Sequence, residues 1–277
     1  MTTELEAKYF SLQSILKKME SIAIGYSGGV DSTLLIKVTH DILKDKALAV
    51  IGKSATYPSR EYKQAVQIAE DIGIHYETID TKETDNIKFK ENPPDRCYYC
   101  KQELFSKIKQ IAVHRNINWV ADGTINDDLT DFRPGMKAKA EQNIRSPLLE
   151  AGLNKNDVRE LSKYLGLPTW NKGSFACLAS RFPYGSKITT DALDRINAAE
   201  EILYQLDFHH FRVRYHDENT CRIEVGQKEI KSLLNDEIRT QIVAEMKKIG
   251  FIYVTLDLQG YRTGSMNEVL PLSTKIP

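Results

Sequence analysis

The chain has 277 residues, of which 41% are hydrophobic, 27% charged and 9% aromatic. This is ordinary globular composition for about two domains, which excludes disordered and fibrous classes. Lys plus Arg (38) balance Asp plus Glu (38), so a globally cationic nucleic-acid binder is excluded, although a local basic patch is not.

No apolar run approaches the roughly 20 residues that cross a bilayer. Residues 1–20 follow a helical pattern through Leu5, Leu12, Ile15, Leu16 and Met19 and lack the parts of a signal peptide. No membrane partner and a cytosolic location are expected. From residue 20 to about 165, short apolar runs at 21–26, 47–51, 74–79 and 118–121 read as strands. Helical periods lie between them, through Leu34, Leu35, Val38 and Ile42, then Ala65, Ile68, Ala69 and Ile72, then Leu104, Ile108 and Ile111. Such alternation predicts an α/β domain with a parallel sheet. Residues 80–96, with Pro93-Pro94, and the polar stretch 123–147 break the rhythm. They are expected to be long active-site loops. A short helix through Val158, Leu161 and Leu165 precedes Gly166 and Pro168. Further on, a helix is predicted from near Thr190, then a hairpin of 211–215 with 220–225, one more helix, and a strand over 251–257. The predicted division is therefore an α/β domain over 1–174 and a smaller α+β domain over 175–277.

Ser27-Gly28-Gly29-Val30-Asp31-Ser32 follows the first strand and opens a helix, which aims unpaired N–H groups and the positive helix end at an anion. Gly28 and Gly29 let the backbone approach phosphate oxygens closely; the hydroxyls of Ser27 and Ser32 add donors, and Asp31 suits a magnesium ion. There is no Walker lysine, and the glycine spacing is not that of a dinucleotide site. The segment resembles the PP-loop ATP pyrophosphatase superfamily, which cleaves ATP between its α and β phosphates and adenylates an oxygen. That resemblance implies a parallel-sheet PP-loop domain, with Ser54 and Asp122-Gly123-Thr124 at strand ends contacting the adenosine.

The cysteines bear on the nucleophile that replaces the adenylated oxygen. Four cysteines are too few for a disulfide framework in a reducing compartment. Cys97 and Cys100 form a single CxxC, and Cys177 is distant. A three-cysteine 4Fe-4S cluster, a redox dithiol, a zinc site completed by histidine and three unconnected thiols all remain open at this point. Cys221, on a predicted strand beside Ile223 and Val225, reads as a small buried hydrophobe. Arg212 and Arg214 share one face of a predicted strand, about 7 Å apart. Two readings fit them, a phosphate site and a solvated face paired with Glu224. Glu200 reads by itself as a solvated charge.

The motifs YSGGVDS (26–32), DRCYYCKQELF (95–105), DGTINDD (122–128), DFRPGMKA (131–138), CLASRFPYG (177–185), FRVRY (211–215) and YVTLDLQGYRTGSMN (253–267) span nearly the whole chain. Together they resemble the LarE family, ATP-dependent sulfur transferases that make the nickel-pincer nucleotide cofactor of lactate racemase. The resemblance implies a pyridinium dicarboxylic acid mononucleotide as substrate, its carboxylates adenylated and converted to thiocarboxylates. It places Cys177 at the sulfur-donor position, and Cys97 and Cys100 match the branch in which three cysteines hold a 4Fe-4S cluster. In the other branch the lone cysteine surrenders its own sulfur. Ser180, Arg181, Arg212 and Arg214 match the family's substrate-phosphate site and Glu200 a nearby metal contact. Hexamers are implied too. A PP-loop tRNA thiolase with the same three-cysteine cluster is the alternative. The zero net charge argues against nucleic acid as a partner.

Overall fold

The computed structural model describes residues 2–130, 134–173 and 176–270. Ser174 and Phe175, in the loop before Cys177, and residues 131–133 of the DFRPGMKA motif lie outside the described residues.

Helix α1 (Thr3–Met19) starts at Thr2, whose hydroxyl accepts from Leu5 N, an N-cap that satisfies one otherwise unpaired donor. There follow β1 (Ile22–Tyr26), α2 (Val30–Leu43), β2 (Ala47–Lys53), α3 (Ser59–Ile72) and β3 (His75–Asp80). Then come α4 (Ile87–Lys90), α5 (Arg96–His114), β4 (Trp119–Ala121), α6 (Gly135–Glu141), α7 (Pro147–Glu150) and α8 (Lys155–Tyr164). The four strands form a parallel sheet in the order β3-β2-β1-β4. Strand order reverses between β1 and β4, and a crevice at such a switch point, beyond the carboxyl ends of the strands, is where open α/β sheets bind ligands.

β1 is apolar on both faces because both are covered. Ile22 and Ile24 pack with Leu5, Leu34 and Val158 on one side, while Ala23 packs with Phe105 and Ile108 of α5 on the other. β3 is a polar edge, which discourages further strand addition. The stretches 80–96 and 123–147, expected as loops, instead carry short helices: 3-10 turns at Glu83–Asp85 and Asn126–Thr130 besides α4, α6 and α7. Tertiary hydrogen bonds rather than an apolar period hold them, as the Lys139–Ser146–Asp122 chain below shows.

The second part contains α9 (Thr190–Gln205), β5 (Phe211–Tyr215), β6 (Thr220–Val225), α10 (Ile230–Leu233), α11 (Asp236–Lys248) and β7 (Tyr253–Leu256). β5 and β6 form the expected hairpin, with Val213 opposite Ile223. β7 then lies parallel to β6, giving the order β5-β6-β7. Leu193, Ile196, Ala199 and Leu203 of α9 cover this sheet, and Phe89 from the first part joins the same core.

Candidate functional site

The turn between β1 and α2 sits at the carboxyl end of the sheet. Gly28 has φ +64°, and a Cβ there would stand 2.9 Å from the Cβ of Ala65, so a side chain is excluded by both conformation and space. Gly29 caps α2 without a side-chain bond, which leaves the first N–H groups of the helix open to an anion. Ser32 is buried; its hydroxyl donates to Gly29 O at 3.3 Å and lies 3.2 Å from the Ser27 hydroxyl. This hydroxyl braces the turn. Tyr57 donates to Ser27 O at 2.9 Å.

Gly123 has a steric reason of its own. A Cβ there would stand 2.9 Å from the backbone nitrogen of Ser32, so the loop after β4 can pack on the start of α2 only with glycine. Asp122 holds that loop: it accepts from Thr124 Oγ1 at 2.7 Å and Ser146 Oγ at 2.6 Å, with Lys139 Nζ 3.3 Å away. Lys139 also bonds Ser146.

Two lysines absent from the sequence reading reach the same turn. Lys155 Nζ lies 2.7 and 2.6 Å from the oxygens of Asp31. Lys172 Nζ donates to Gly28 O at 3.2 Å and Gln64 Oε1 at 2.7 Å, and pairs with Glu61 at 2.6 Å. Neither neighbours the glycine motif in sequence, so no local pattern marks them.

Ser54 follows β2 and begins a hydroxyl chain: its Oγ is 2.9 Å from Thr56 Oγ1, which donates to Glu83 Oε1 at 2.6 Å. A cavity of about 410 Å³ opens beside it, lined by Lys53, Ser54, Tyr57, Thr81 and Asn197 among others. Another cavity of about 400 Å³ lies at the amino-terminal edge of the sheet, around Ala47, His75 and Arg115. No predicted site residue lines it, and it faces away from the phosphate turn.

Leu178 N donates to Thr56 O at 2.8 Å, and this bond brings the Cys177 loop to the end of β2. Asn92, fully buried, donates to Pro183 O at 2.7 Å, and its own carbonyl accepts from Gly185 N at 3.0 Å. The Arg96 guanidinium lies over the Tyr184 ring at 4.8 Å. The segment around Pro93-Pro94 thus clips the Cys177 loop to the start of α5, which carries Cys97 and Cys100. Cys97 is exposed, while Cys100 and Cys177 are half-buried. Burial pushes the Cys100 thiol well above its ordinary value, and the nearby charges of Glu83, Cys177 and Cys97 act in the same direction. Cys97 and Cys100 lie one turn apart on α5, and Cys100 and Cys177 both pack against the second core. Among the described residues no group of three or more His, Cys, Asp or Glu side chains is arranged to hold a metal ion. Cys221 is fully buried in the second core, its thiol pushed up to about 11 by burial, as expected for a structural residue.

Of the two readings open for Arg212 and Arg214, the pairing with Glu224 is present, but on a buried rather than a solvated face. Arg214 is only 5% exposed, and it donates to Glu224 at 2.9 and 2.6 Å, to Ser180 O at 3.1 Å and to Ser265 Oγ at 2.9 Å. Glu200, read from sequence as a solvated charge, is 4% exposed. Both its oxygens accept from Arg181 at 2.8 Å, and one also accepts from Val213 N at 3.1 Å, so a metal contact there competes with a guanidinium. Burial works against ionisation of Glu200, but Arg181 outweighs it and holds the carboxyl below its ordinary value. The remaining Arg181 nitrogen donates to Ala176 O at 2.8 Å, Cys177 O at 3.1 Å and Ser180 Oγ at 2.8 Å. Arg212 stacks over Tyr261 at 5.0 Å. Burial, and then the charge of Arg181, lower its guanidinium's basicity. Ser180, Arg181, Arg212 and Arg214 thus gather on one side of the Cys177 loop. Glu224 is the cross-strand partner that the sequence offered for this strand, whereas Ser265, 51 residues from Arg214, escaped the sequence reading because only the fold brings the two together.

The sequence profile of the NAD synthase family matches residues 5–116, from α1 through α5. An uncharacterized protein of Synechocystis, slr1717, is 41% identical over 96% of this chain and 99% of its own length. A glutamine-hydrolyzing GMP synthase of Chlamydia caviae is 26% identical over 62% of this chain and 36% of its own. The pyridinium-3,5-bisthiocarboxylic acid mononucleotide synthase of Lactiplantibacillus plantarum is 39% identical over 96% of both chains. With that identity across almost the full length, the protein belongs to the LarE family, that of the pyridinium-3,5-bisthiocarboxylic acid mononucleotide synthases.

Proposed function

We propose that this protein is an ATP-dependent sulfur transferase that converts the carboxylates of pyridinium-3,5-biscarboxylic acid mononucleotide into thiocarboxylates. The bond from Leu178 N to Thr56 O carries the reading, because it holds a cysteine loop at the carboxyl edge of the PP-loop sheet. An adenylated carboxylate formed at that edge is within the same site as a sulfur nucleophile. Residues 1–174 supply the nucleotide site and residues 175–277 the substrate-phosphate arginines.

In the first step a substrate carboxylate oxygen bonds to the α phosphorus, the α–β bridge breaks, and pyrophosphate leaves with the electron pair. The open N–H groups of α2 and the Ser27 hydroxyl hold the phosphates. In the second step a sulfur nucleophile adds to the acyl carbon and AMP leaves. Arg212 meets the substrate phosphate, in a pocket shaped by Ser180 and by Arg181 and Arg214, which Glu200 and Glu224 hold in place. A magnesium ion fits Asp31, whose carboxylate already draws a cation in the ammonium of Lys155; when bound, it neutralises phosphate charge.

A 4Fe-4S cluster fits the donor set of Cys97, Cys100 and Cys177. These are three soft thiols, two of them one turn apart on α5 and two against the same core, and the separated irons of a cluster take a wider triangle of thiolates than one ion does. When bound, it supplies a position for the sulfide to be transferred. The assembly is a homo-oligomer and the location cytoplasmic on this reading.

Incubation with ATP, magnesium, sulfide and the dicarboxylate nucleotide, followed by mass spectrometry, tests the proposal. Sulfur-for-oxygen exchange in the nucleotide is expected, and AMP release without exchange contradicts it. About four irons per chain after anaerobic reconstitution, lost in Cys97→Ala, are expected for the cluster.

A further inference from the structure

Glu83 is only 2% exposed, in the 3-10 turn that follows β3. One of its oxygens accepts from Thr56 Oγ1 at 2.6 Å, and the other is buried with no hydrogen-bond partner among the described residues. A buried carboxylate with one oxygen unsatisfied costs stability, and a neutral acceptor would hold Thr56 as well. Stability therefore does not account for an acid at this position.

What the acid does fix is direction. An ionised carboxylate only accepts, and a hydroxyl has one hydrogen and two lone pairs. Thr56 spends its hydrogen on Glu83, so across the 2.9 Å contact between the hydroxyls of Thr56 and Ser54 it is Ser54 that donates. Ser54 Oγ also accepts from Thr56 N at 3.2 Å. Its hydrogen is thus committed, and one lone pair remains. Ser54 is half-buried and lines the cavity of about 410 Å³ beyond the carboxyl end of β2. Tyr57 lines the same cavity and donates to Ser27 O in the phosphate turn. A nucleotide whose phosphates lie on that turn therefore has this cavity for its nucleoside. A ribose hydroxyl donates and accepts alike, so a fixed direction does not select it. The base edge differs: adenine presents an amino donor where guanine and hypoxanthine present a carbonyl acceptor.

We propose that Glu83, acting through Thr56, makes Ser54 a one-way acceptor that selects the 6-amino group of adenine and rejects 6-oxo purines. Glu83 is a positioning residue, two side chains removed from the nucleotide. The inference rests on the ATP-dependent reading above and adds to it what sets the choice of base.

The test compares the binding of ATP and ITP to the full chain by calorimetry, with Mg²⁺ and without the pyridinium substrate. In the wild type ATP is expected to bind about tenfold more tightly than ITP, whose 6-oxo group meets a lone pair. Thr56→Val is close in shape and keeps the backbone bond to Leu178, but it frees Ser54 to turn its hydrogen toward the cavity. Glu83→Leu frees Thr56 to donate to Ser54, with the same result. In both variants ITP should gain affinity and ATP lose it, so that their ratio falls to about twofold or less. Thr56→Ser keeps the hydroxyl and should keep the ratio. A merely structural role would weaken both nucleotides in proportion and leave the ratio unchanged. That result, a wild-type ratio in Thr56→Val, or a wild type without preference for ATP overturns the proposal. A wild-type chain that binds neither ATP nor pyrophosphate overturns the ATP-dependent reading itself, a separate result from failure of the role given to Glu83.

Discussion

Arg181 joins Glu200 to Cys177: two of its nitrogens donate to the Glu200 oxygens at 2.8 Å each, and the third reaches Cys177 O at 3.1 Å. A charge pair buried in the second core is thereby coupled to the backbone of the candidate sulfur donor. Breaking the pair leaves a guanidinium buried without a counter-charge, which costs about 3–5 kcal/mol. Glu200→Gln is therefore expected to lower the unfolding free energy by about that amount in urea titrations.

The same pair has a pH signature. Because Arg181 holds the folded Glu200 carboxyl below its ordinary value, the unfolded chain binds the extra proton in that interval. Its stabilising contribution is complete above the ordinary carboxylate value and is lost as pH falls toward the folded one. Unfolding free energy measured through the acid range should fall less steeply in Glu200→Gln than in the wild type.

Gly123→Ala puts a Cβ 2.9 Å from Ser32 N, so the loop after β4 must move off α2. A loss of about 1–3 kcal/mol in stability is expected, together with weaker ATP binding by calorimetry. Normal ATP affinity in this variant would show that the close approach of the two loops does not shape the nucleotide site.

Cys177 and Cys221 should separate cleanly. Cys177→Ser is expected to abolish sulfur transfer while substrate-dependent pyrophosphate release persists for at least the first turnover. Cys221→Ser places a hydroxyl in the apolar second core and should cost about 1–3 kcal/mol of stability. Its transfer activity at low temperature should be retained.

Much of this architecture is readable from residues. The central strands β1 and β2 show as near-continuous apolar runs because both faces of the sheet are covered there, and the hairpin shows through its alternation around a polar turn. The glycine turn carries its own signature in Gly28 and Gly29. The short helices at 83–90, 126–130 and 135–141 are not readable, since they are held by tertiary bonds such as Lys139 to Ser146 rather than by an apolar period. Nor are the contacts of Lys155 and Lys172, whose partners Asp31 and Gly28 are 124 and 144 residues away. Glu200 misleads in the other direction: a lone acid on a helix reads as solvated until the fold brings Arg181 against it.

The central claim is that each sulfur is transferred by way of an adenylated carboxylate. It is tested most directly by measuring, in one anaerobic reaction, the AMP released and the sulfur incorporated into the pyridinium nucleotide. The account predicts one AMP for each sulfur gained and neither product without ATP. Sulfur incorporation that proceeds without ATP, or AMP release with no sulfur in the nucleotide, would contradict it.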